Sequence, residues 1–449
     1  MKIIRQGVVR GVTVGLSLLM FAGCDDFLDV DNPGSLLDED LERPELLATL
    51  ANTPEANIAG TMSSLNTRSG LLSDELFHPR TQQENIDAMA GNRLASSSAV
   101  ENHWRRLAQS RFLSDEVASR LLSAGGTPSD IARAYFFAGT ARMAMADHFN
   151  VIVYDHEDTP KGPITVINDA ITAFTQSASH GTGNVKAAAL GQIARAYRSL
   201  YFEEKHLRGN TDASLFSQAE SFAQQALAAD SDYNLSLRYG SPGGDNGQYS
   251  LGSIGTGSNL IDSIYIRLAD PVTGIWDPRI PHEDEDIVEV NGITVFDLKY
   301  HASNSPLPLS RAAEARLIIA EARILVGDLA GAVSMINENR AAARSRVSAS
   351  DWGGGTARGW PPASPISDLS DFVSTDATEV YDQLKHERRA EFFVELRRWP
   401  DMRYYEIFPY RWLSTNVAAG VHLRWPVAPE EIATNENLSL AQTKVVYVN

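Results

Sequence analysis

Arg311-Ala312-Ala313-Glu314-Ala315-Arg316-Leu317-Ile318-Ile319-Ala320-Glu321-Ala322 decides how this chain is built. Small alanines (Ala312, Ala315, Ala320, Ala322) recur around the large apolar Ile319, so one face is smooth enough for a second helix to approach closely. The spacing predicts a helix over 311–326 and a partner over 329–343. Gly327-Asp328 separates them, and glycine serves such a stop because it adopts the left-handed helix terminus cheaply. Working outward, the same composition returns in 185–202 and 215–229. There Ala188, Ala194 and Ala196 accompany Tyr197, and Ala219, Ala223 and Ala226 accompany Leu227. The polar connector 203–213, with Gly209-Asn210, lies between them.

Such pairs resemble tetratricopeptide-type helical hairpins, although no unit carries the full 34-residue signature. Further helices are expected over 36–51, 104–122 and 131–148, the last capped by Ser129 or Asp130. The fold class that follows is mostly α, with tetratricopeptide-like hairpins in a helical scaffold. Two stretches break the pattern, at about 231–308 and 345–374. They are rich in Gly, Ser, Asp and Pro, with strand-like runs at 264–268 and 294–296. Irregular insertions that long are usually functional or disordered.

The N-terminus names a compartment. Lys2, Arg5 and Arg10 precede an apolar run, Val12 to Ala22, and then Ala22-Gly23-Cys24. That run is shorter than the roughly 20 apolar residues a membrane-spanning helix needs. Met20-Phe21-Ala22-Gly23-Cys24 looks like a lipobox, which makes 1–23 a lipoprotein signal peptide and Cys24 the lipidated residue. Residues 24–35 read as an acidic tether, and 36–449 as one helical domain. Asp29, Asp31 and Gly34 hint at a calcium loop, but Pro33 stands where that loop needs an oxygen ligand, so no metal is expected. Cys24 is the one cysteine in 449 residues, so the body is held by packing without internal disulfides.

The precursor carries a net charge of −18, and loss of the three basic leader residues takes it to −21. Such a surface repels phosphate backbones, which argues against a nucleic-acid partner. Catalytic patterns are missing as well. His386-Glu387 has no second histidine at zincin spacing, and no nucleophile elbow or phosphate-binding glycine loop occurs. Glu387, Glu391 and Glu395 recur every four residues, which invites a glycosidase reading with one carboxylate as acid and one as nucleophile or base. Arg388, Arg398 and Arg403 on the same segment, and Arg311, Glu314 and Glu321 on another, favour a structural ionic lattice instead. The acidic run His282-Glu283-Asp284-Glu285-Asp286 reads as a solvated turn.

These pieces together resemble the SusD/RagB family of outer-membrane nutrient-uptake lipoproteins. Cys24 with Phe27-Leu28-Asp29 is similar to the family's start. Trp104 with Leu107 resembles the opening of its long helix, with Asp115 near the family's Asn. Residues 134–153 are similar to the helix that runs into a Gly-x-Pro strand, though that Gly and Pro are missing here. Residues 311–322 and 387–403 resemble two charged family helices, with Leu396 where the family usually has Gly. Trp425-Pro426-Val427-Ala428-Pro429-Glu430-Glu431-Ile432 and Asn435 to Leu438 resemble its closing segment.

The resemblance implies a binding protein, not an enzyme, and no cofactor. It implies an outward-facing, lipid-anchored position on the outer membrane. Its partner would be a SusC-like TonB-dependent receptor that takes over an oligosaccharide or peptide ligand. The alternatives are a lipid-anchored glycoside hydrolase and a tetratricopeptide-type envelope scaffold. Sugars are gripped by flat aromatic faces, so the aromatic residues of the irregular segments are the candidate ligand contacts: Trp276, Trp352, Trp360 and Tyr265. Asp262, Asp351 and Arg358 would supply polar contacts. Trp104, Trp399, Trp412 and Trp425 read as packing residues.

Overall fold

The helical pairs expected from alanine spacing form the frame. The computed structural model describes residues 43–92, 98–155, 158–240, 244–251, 259–266, 268–275, 277–280, 299–300, 302–345, 369–414, 424–427 and 429–438. Helices α1 (Pro44–Leu72), α2 (Gln83–Met89), α3 (Ser98–Ser123), α4 (Pro128–His148), α5 (Pro163–His180), α6 (Gly183–Arg208) and α7 (Ala213–Ala229) come first. Short pieces follow: α8 (Gly247–Leu251) and α9 (Ser263–Ile266). Then come α10 (Ala312–Leu325), α11 (Leu329–Ser345), α12 (Ala377–Glu391), α13 (Arg398–Tyr404) and α14 (Pro429–Thr434). The fold is a mostly helical scaffold. Residues Met1–Leu47 and Ala48–Asn449 separate as two units.

Neighbours in sequence pack as neighbours in space, α3 on α4, α4 on α5, α5 on α6, α6 on α7 and α10 on α11. The alanines do what their size permits. Ala188, Ala194, Ala219, Ala223, Ala226, Ala315 and Ala320 are fully buried. Gly139 goes further: a Cβ there would stand 2.7 Å from the Phe174 ring, so α4 and α5 touch through it. The large rings fill the remaining core. Trp104 meets Phe149 edge-on at 5.0 Å, Phe149 meets Trp425 at 5.6 Å, and Trp104, Trp399, Trp412 and Trp425 are all buried.

Several expectations need correction. Helix α1 runs on through Pro54 to Leu72, well past residue 51. The cap of α4 is Thr127, whose Oγ1 accepts the Asp130 N–H, so Asp130 lies inside the helix. Helix α5 was not expected, although its apolar stripe of Val166, Ile167, Ala170 and Phe174 recurs at helical spacing. The connector of the α6–α7 pair is only 209–212, because α6 persists to Arg208 and ends on Gly209 at φ 65°.

Of the run 264–268, expected to be strand-like, residues 264–266 lie in the short helix α9. Strands β1 (Leu76–Phe77) and β3 (Leu260–Ile261) pair antiparallel, as do β2 (Asn234–Leu237) and β4 (Leu307–Arg311). The run 294–296 lies outside the described residues. The charged segment 387–403 is broken into two helices by a turn at 392–396, so Glu395 is not on a helix face with Glu387 and Glu391.

Candidate functional site

The carboxylates that suggested catalysis are consumed by structure. Glu387, Glu391 and Glu395 are at most 3% exposed. Arg340 donates to Glu387 Oε1 at 2.6 Å, and Arg279 donates to Glu387 Oε2. Arg311 donates to Glu391 Oε1 at 2.8 Å and to both oxygens of Glu395. Lys299 donates to Glu395 Oε1 at 2.7 Å. A carboxylate held by one or two guanidinium groups cannot take up a substrate proton without breaking those pairs.

The neighbouring pairs are of the same kind. Asp401 accepts from Arg388 and Arg198, and Glu314 from Arg397. Burial alone would push both carboxyls up, but the arginines outweigh it and hold them below the ordinary range. Arg398 grips Asp74 at 2.7 and 2.6 Å. The sequence pointed to a lattice and to Arg311. It gave no hint of Arg279, Lys299 or Arg340, which come from segments with no pattern linking them to α12.

At the centre of the lattice is the 392–396 turn. Val394 and Leu396 have φ of 52° and 61°, in the left-handed region where a side chain is strained and glycine is favoured. Leu396 holds the position usually glycine in the family resemblance. Five polar contacts impose the shape. Asn66 Nδ2 and the Tyr300 hydroxyl each donate to the Val394 carbonyl at 2.8 Å. Asn66 Oδ1 accepts the Leu396 N–H at 3.2 Å, Glu75 accepts the Val394 N–H at 2.6 Å, and Lys299 donates to the Phe393 carbonyl. Every other buried carboxylate among the described residues has an arginine or lysine partner; Glu75 has Val394 and Ser73 instead. Burial pushes the Glu75 carboxyl up to about 8, with neighbouring Asp74 adding to the rise.

Beside this hub lies an open cleft of about 400 Å³, lined by Ser64, Thr67, Arg68, Gln82, Gln83, Glu84, Asn85 and Asn259. Helix α1 supplies the hydroxyls, the start of α2 supplies the exposed amides, and Asn259 enters ahead of β3. His78 ties the walls together, since its Nδ1 lies 3.3 Å from Asn259 Oδ1 and 3.2 Å from Asn85 Nδ2. Arg68 is satisfied within the wall, donating to the Glu84 carbonyl at 2.6 Å. Burial pushes its guanidinium down from the ordinary value, and Glu84 and Asp87 oppose that. Carboxamides and hydroxyls in an open cleft can read hydroxyl groups of a ligand, while Glu84 in its wall faces Arg68 at 3.7 Å.

A third cluster has metal-ligand composition: Asp270, Asp277 and His386, all buried, with donor atoms within 4.8 Å of one another. Arginines already fill its lone pairs. Arg340 grips Asp270 at 3.0 and 2.9 Å, Arg279 grips Asp277 at 3.0 and 2.7 Å, and His386 Nε2 lies 2.8 Å from Asp277 Oδ2. Burial would raise the Asp277 carboxyl, but Arg279 and His386 drive it far below its ordinary value. A cation would have to displace two guanidinium groups, so the cluster reads as part of the lattice.

Of the expected ligand contacts, Tyr265 is in the core. It is fully buried, 4.8 Å from the Phe393 ring, under the Arg389 guanidinium, with its hydroxyl turned to Asp74. Its ring offers no face to a ligand here. Asp262 is also buried and is bound by Arg411 and Tyr410. Trp276, Trp352, Trp360, Asp351, Arg358 and Cys24 lie outside the described residues, as do the tether and 282–286. The amide-lined cleft was missed, because it joins residues far apart in the chain.

The sequence model of the SusD family matches residues 298–443, which contain the 311–322 and 387–403 motifs. No curated protein matches the chain by sequence. Solved structures match it in fold. A SusD homolog from Bacteroides thetaiotaomicron superposes with a TM-score of 0.65 at 13% identity, covering 90% of this chain and 98% of its own. A SusD-like carbohydrate binding protein from Bacteroides fragilis has a TM-score of 0.65 at 13% identity, covering 89% and 99%. A SusD superfamily protein from Bacteroides vulgatus has a TM-score of 0.62 at 14% identity, covering 88% and 98%. At such identities the superpositions show a shared fold. The SusD family's sequence match thus covers the C-terminal third of the chain, and the likeness in fold extends over about nine-tenths of it.

Proposed function

We propose that this protein captures an oligosaccharide or other nutrient at the outer-membrane surface and passes it to a SusC-like TonB-dependent receptor, while lipid on Cys24 holds it to the membrane. The observation that carries this reading is the contrast between the cleft and the lattice. The cleft is open and lined by amides and hydroxyls. The carboxylates of the 387–395 segment are buried in ion pairs, and Glu84, which lines the cleft, faces Arg68. Binding without turnover is what such a division of labour supports. The carbohydrate-binding name of the Bacteroides fragilis relative points the same way.

No helix among the described residues is long and apolar enough to cross a membrane, so attachment falls to Cys24 in this reading. Each buried CH₂ of its acyl chains would add roughly 0.8 kcal/mol of membrane affinity. The test is threefold. Detergent extracts of outer membranes should yield the protein together with a large β-barrel receptor. Cys24→Ser should move it to the soluble fraction. The purified protein should bind oligosaccharide without releasing reducing ends. Hydrolysis that Glu391→Gln abolishes would replace this reading with a glycoside hydrolase. Envelope assembly factors in place of a barrel would make it a scaffold.

A further inference from the structure

Val394 is held from two directions through its own backbone. Its carbonyl accepts from Asn66 Nδ2 at 2.8 Å, and its N–H donates to Glu75 at 2.6 Å. Asn66 lies in α1, and Glu75 stands directly before β1. All three residues are buried. The two partners lead to different sides of the cleft.

On one side, α1 supplies the lining residues Ser64, Thr67 and Arg68. Asn66 stands among them in sequence, but its amide is spent on the turn, since Oδ1 also accepts the Leu396 N–H at 3.2 Å. On the other side, the Glu75 carbonyl accepts the Asp262 N–H at 3.0 Å. Leu76 and Phe77 then pair with Ile261 and Leu260, which fixes Asn259 just ahead of β3. His78 continues the same segment. Its N–H donates to Met89 Sδ at 3.0 Å, and its Nδ1 lies 3.2 Å from Asn85 Nδ2, so it holds both ends of α2. Asn259 and the 82–85 amides therefore hang from the segment that Glu75 starts.

Two other links join the sides. Helix α1 and β1 touch where a Cβ on Gly70 would stand 2.8 Å from Leu76 Cδ1. Arg68 donates to the Glu84 carbonyl at 2.6 Å. A single packing contact fixes a distance and leaves the angle between α1 and β1 open. Arg68 is a long side chain that can follow either wall. Val394 closes that angle, because one peptide unit cannot stretch and its φ of 52° lies in the narrow left-handed region. Groups that read a ligand must be held to within about 0.5 Å.

We infer that Asn66, Glu75 and Val394 are positioning residues for the cleft. The strained turn after α12 sets how the hydroxyls of α1 stand against the amides of 82–85 and Asn259, although none of the three residues lines the cleft. This deepens the capture reading above, in which the cleft holds the cargo.

Hydrogen–deuterium exchange on the unliganded mature chain tests it, reading each side while the other is mutated. Asn66→Ala removes both amide bonds on the α1 side, and exchange at 76–78 and 84–90 should rise about tenfold. Phe174→Ala, in the core between α4 and α5, controls for general loss of stability and should raise exchange there far less. In the reverse direction, Glu75→Ala should raise exchange at 65–71. Glu75→Gln keeps an acceptor for the Val394 N–H and should restore wild-type exchange. The Glu75 pair decides alone if Asn66→Ala does not fold. A response to Asn66→Ala no greater than to Phe174→Ala overturns the inference. So does a Glu75→Gln variant that exchanges like Glu75→Ala. Because no ligand is present, either failure leaves capture untouched. A chain that passes but binds no oligosaccharide or peptide overturns capture and keeps the positioning role.

Discussion

Asn66 and Leu396 are joined by a hydrogen bond from the Leu396 N–H to Asn66 Oδ1, while Nδ2 of the same amide holds the Val394 carbonyl. One side chain from α1 thereby clamps both strained residues of the turn after α12. Strain of about 1–3 kcal/mol per residue persists only where the surroundings impose it. The clamp makes the ranking of substitutions at 396 unusual. Leu396→Ala and Leu396→Gly both lose a buried side chain, which costs roughly 2–5 kcal/mol. In the left-handed region glycine should outperform alanine by about 1 kcal/mol. Denaturant melts should therefore rank wild type above Gly, and Gly above Ala. Alanine above glycine would mean that the turn is not strained.

The lattice makes its own forecast. Glu391 is fully buried against Arg311, with Arg279 3.8 Å away. Removing it leaves Arg311 with only part of its counter-charge, and breaking a buried pair costs about 3–5 kcal/mol. Glu116, 42% exposed and paired with Arg120 on the same helix, should cost under about 1 kcal/mol. Calorimetric melting of Glu391→Ala and Glu116→Ala should separate widely; a similar loss in both would contradict a stabilising lattice.

Glu75 gives the molecule a pH signature. Its folded carboxyl is raised from the ordinary 4.5 to about 8. A raised acid favours folding below its unfolded pKa, and that contribution is lost as pH climbs from about 4.5 to about 8. Asp74, Glu314 and Asp401 are depressed and act oppositely, since their contribution is lost as pH falls below the ordinary carboxylate range. Glu75→Gln keeps an acceptor for the Val394 N–H and removes the titration. Its melting temperature should exceed that of wild type at pH 8 and converge with it at pH 5. A constant offset across that range would show that Glu75 does not titrate there.

Two opposing effects meet at Gly139. Alanine is worth about 1 kcal/mol more than glycine inside a helix. Here its Cβ would stand 2.7–2.8 Å from three atoms of the Phe174 ring, a fully buried side chain with little room to turn. Overpacking costs about 1–3 kcal/mol. Gly139→Ala should therefore lower stability, and Phe174→Leu in the same background should recover part of the loss. A more stable Gly139→Ala would mean that α4 and α5 separate easily.

Legibility in the sequence followed the range of the interaction. The hairpins at 311–343 and 185–229 could be read because alanine spacing and a glycine stop are local. Leu396 could be flagged because a glycine was expected there, and its positive φ explains why. Helix α5 carried the same local mark and was passed over, since Val166, Ile167, Ala170, Ala173 and Phe174 recur at helical spacing with Asn168, Asp169 and Thr172 on the other face. The partners of Glu387 and Glu395 were invisible: Arg279, Lys299 and Arg340 lie 47 to 108 residues away in sequence and carry no periodic mark. The cleft was hidden for the same reason, because only the β1–β3 pairing brings Asn259 to Gln82 and Asn85. Tyr265 misled because an aromatic residue in a glycine-rich stretch looks exposed, whereas Arg389 and Phe393 cover it.

Arg279 is paired with Glu387 inside α12 and Lys299 with Glu395 just after it, so the chain is anchored on both sides of residues 281–298. The two ends of that insertion are thus fixed independently of whatever runs between them. Lengthening a flexible chain between fixed ends costs only about 0.6 kcal/mol per doubling. Length changes between these ends should therefore leave the melting point of the frame nearly unchanged. The arginine–glutamate lattice thereby separates the stability of the frame from the length of chain that joins its anchor points.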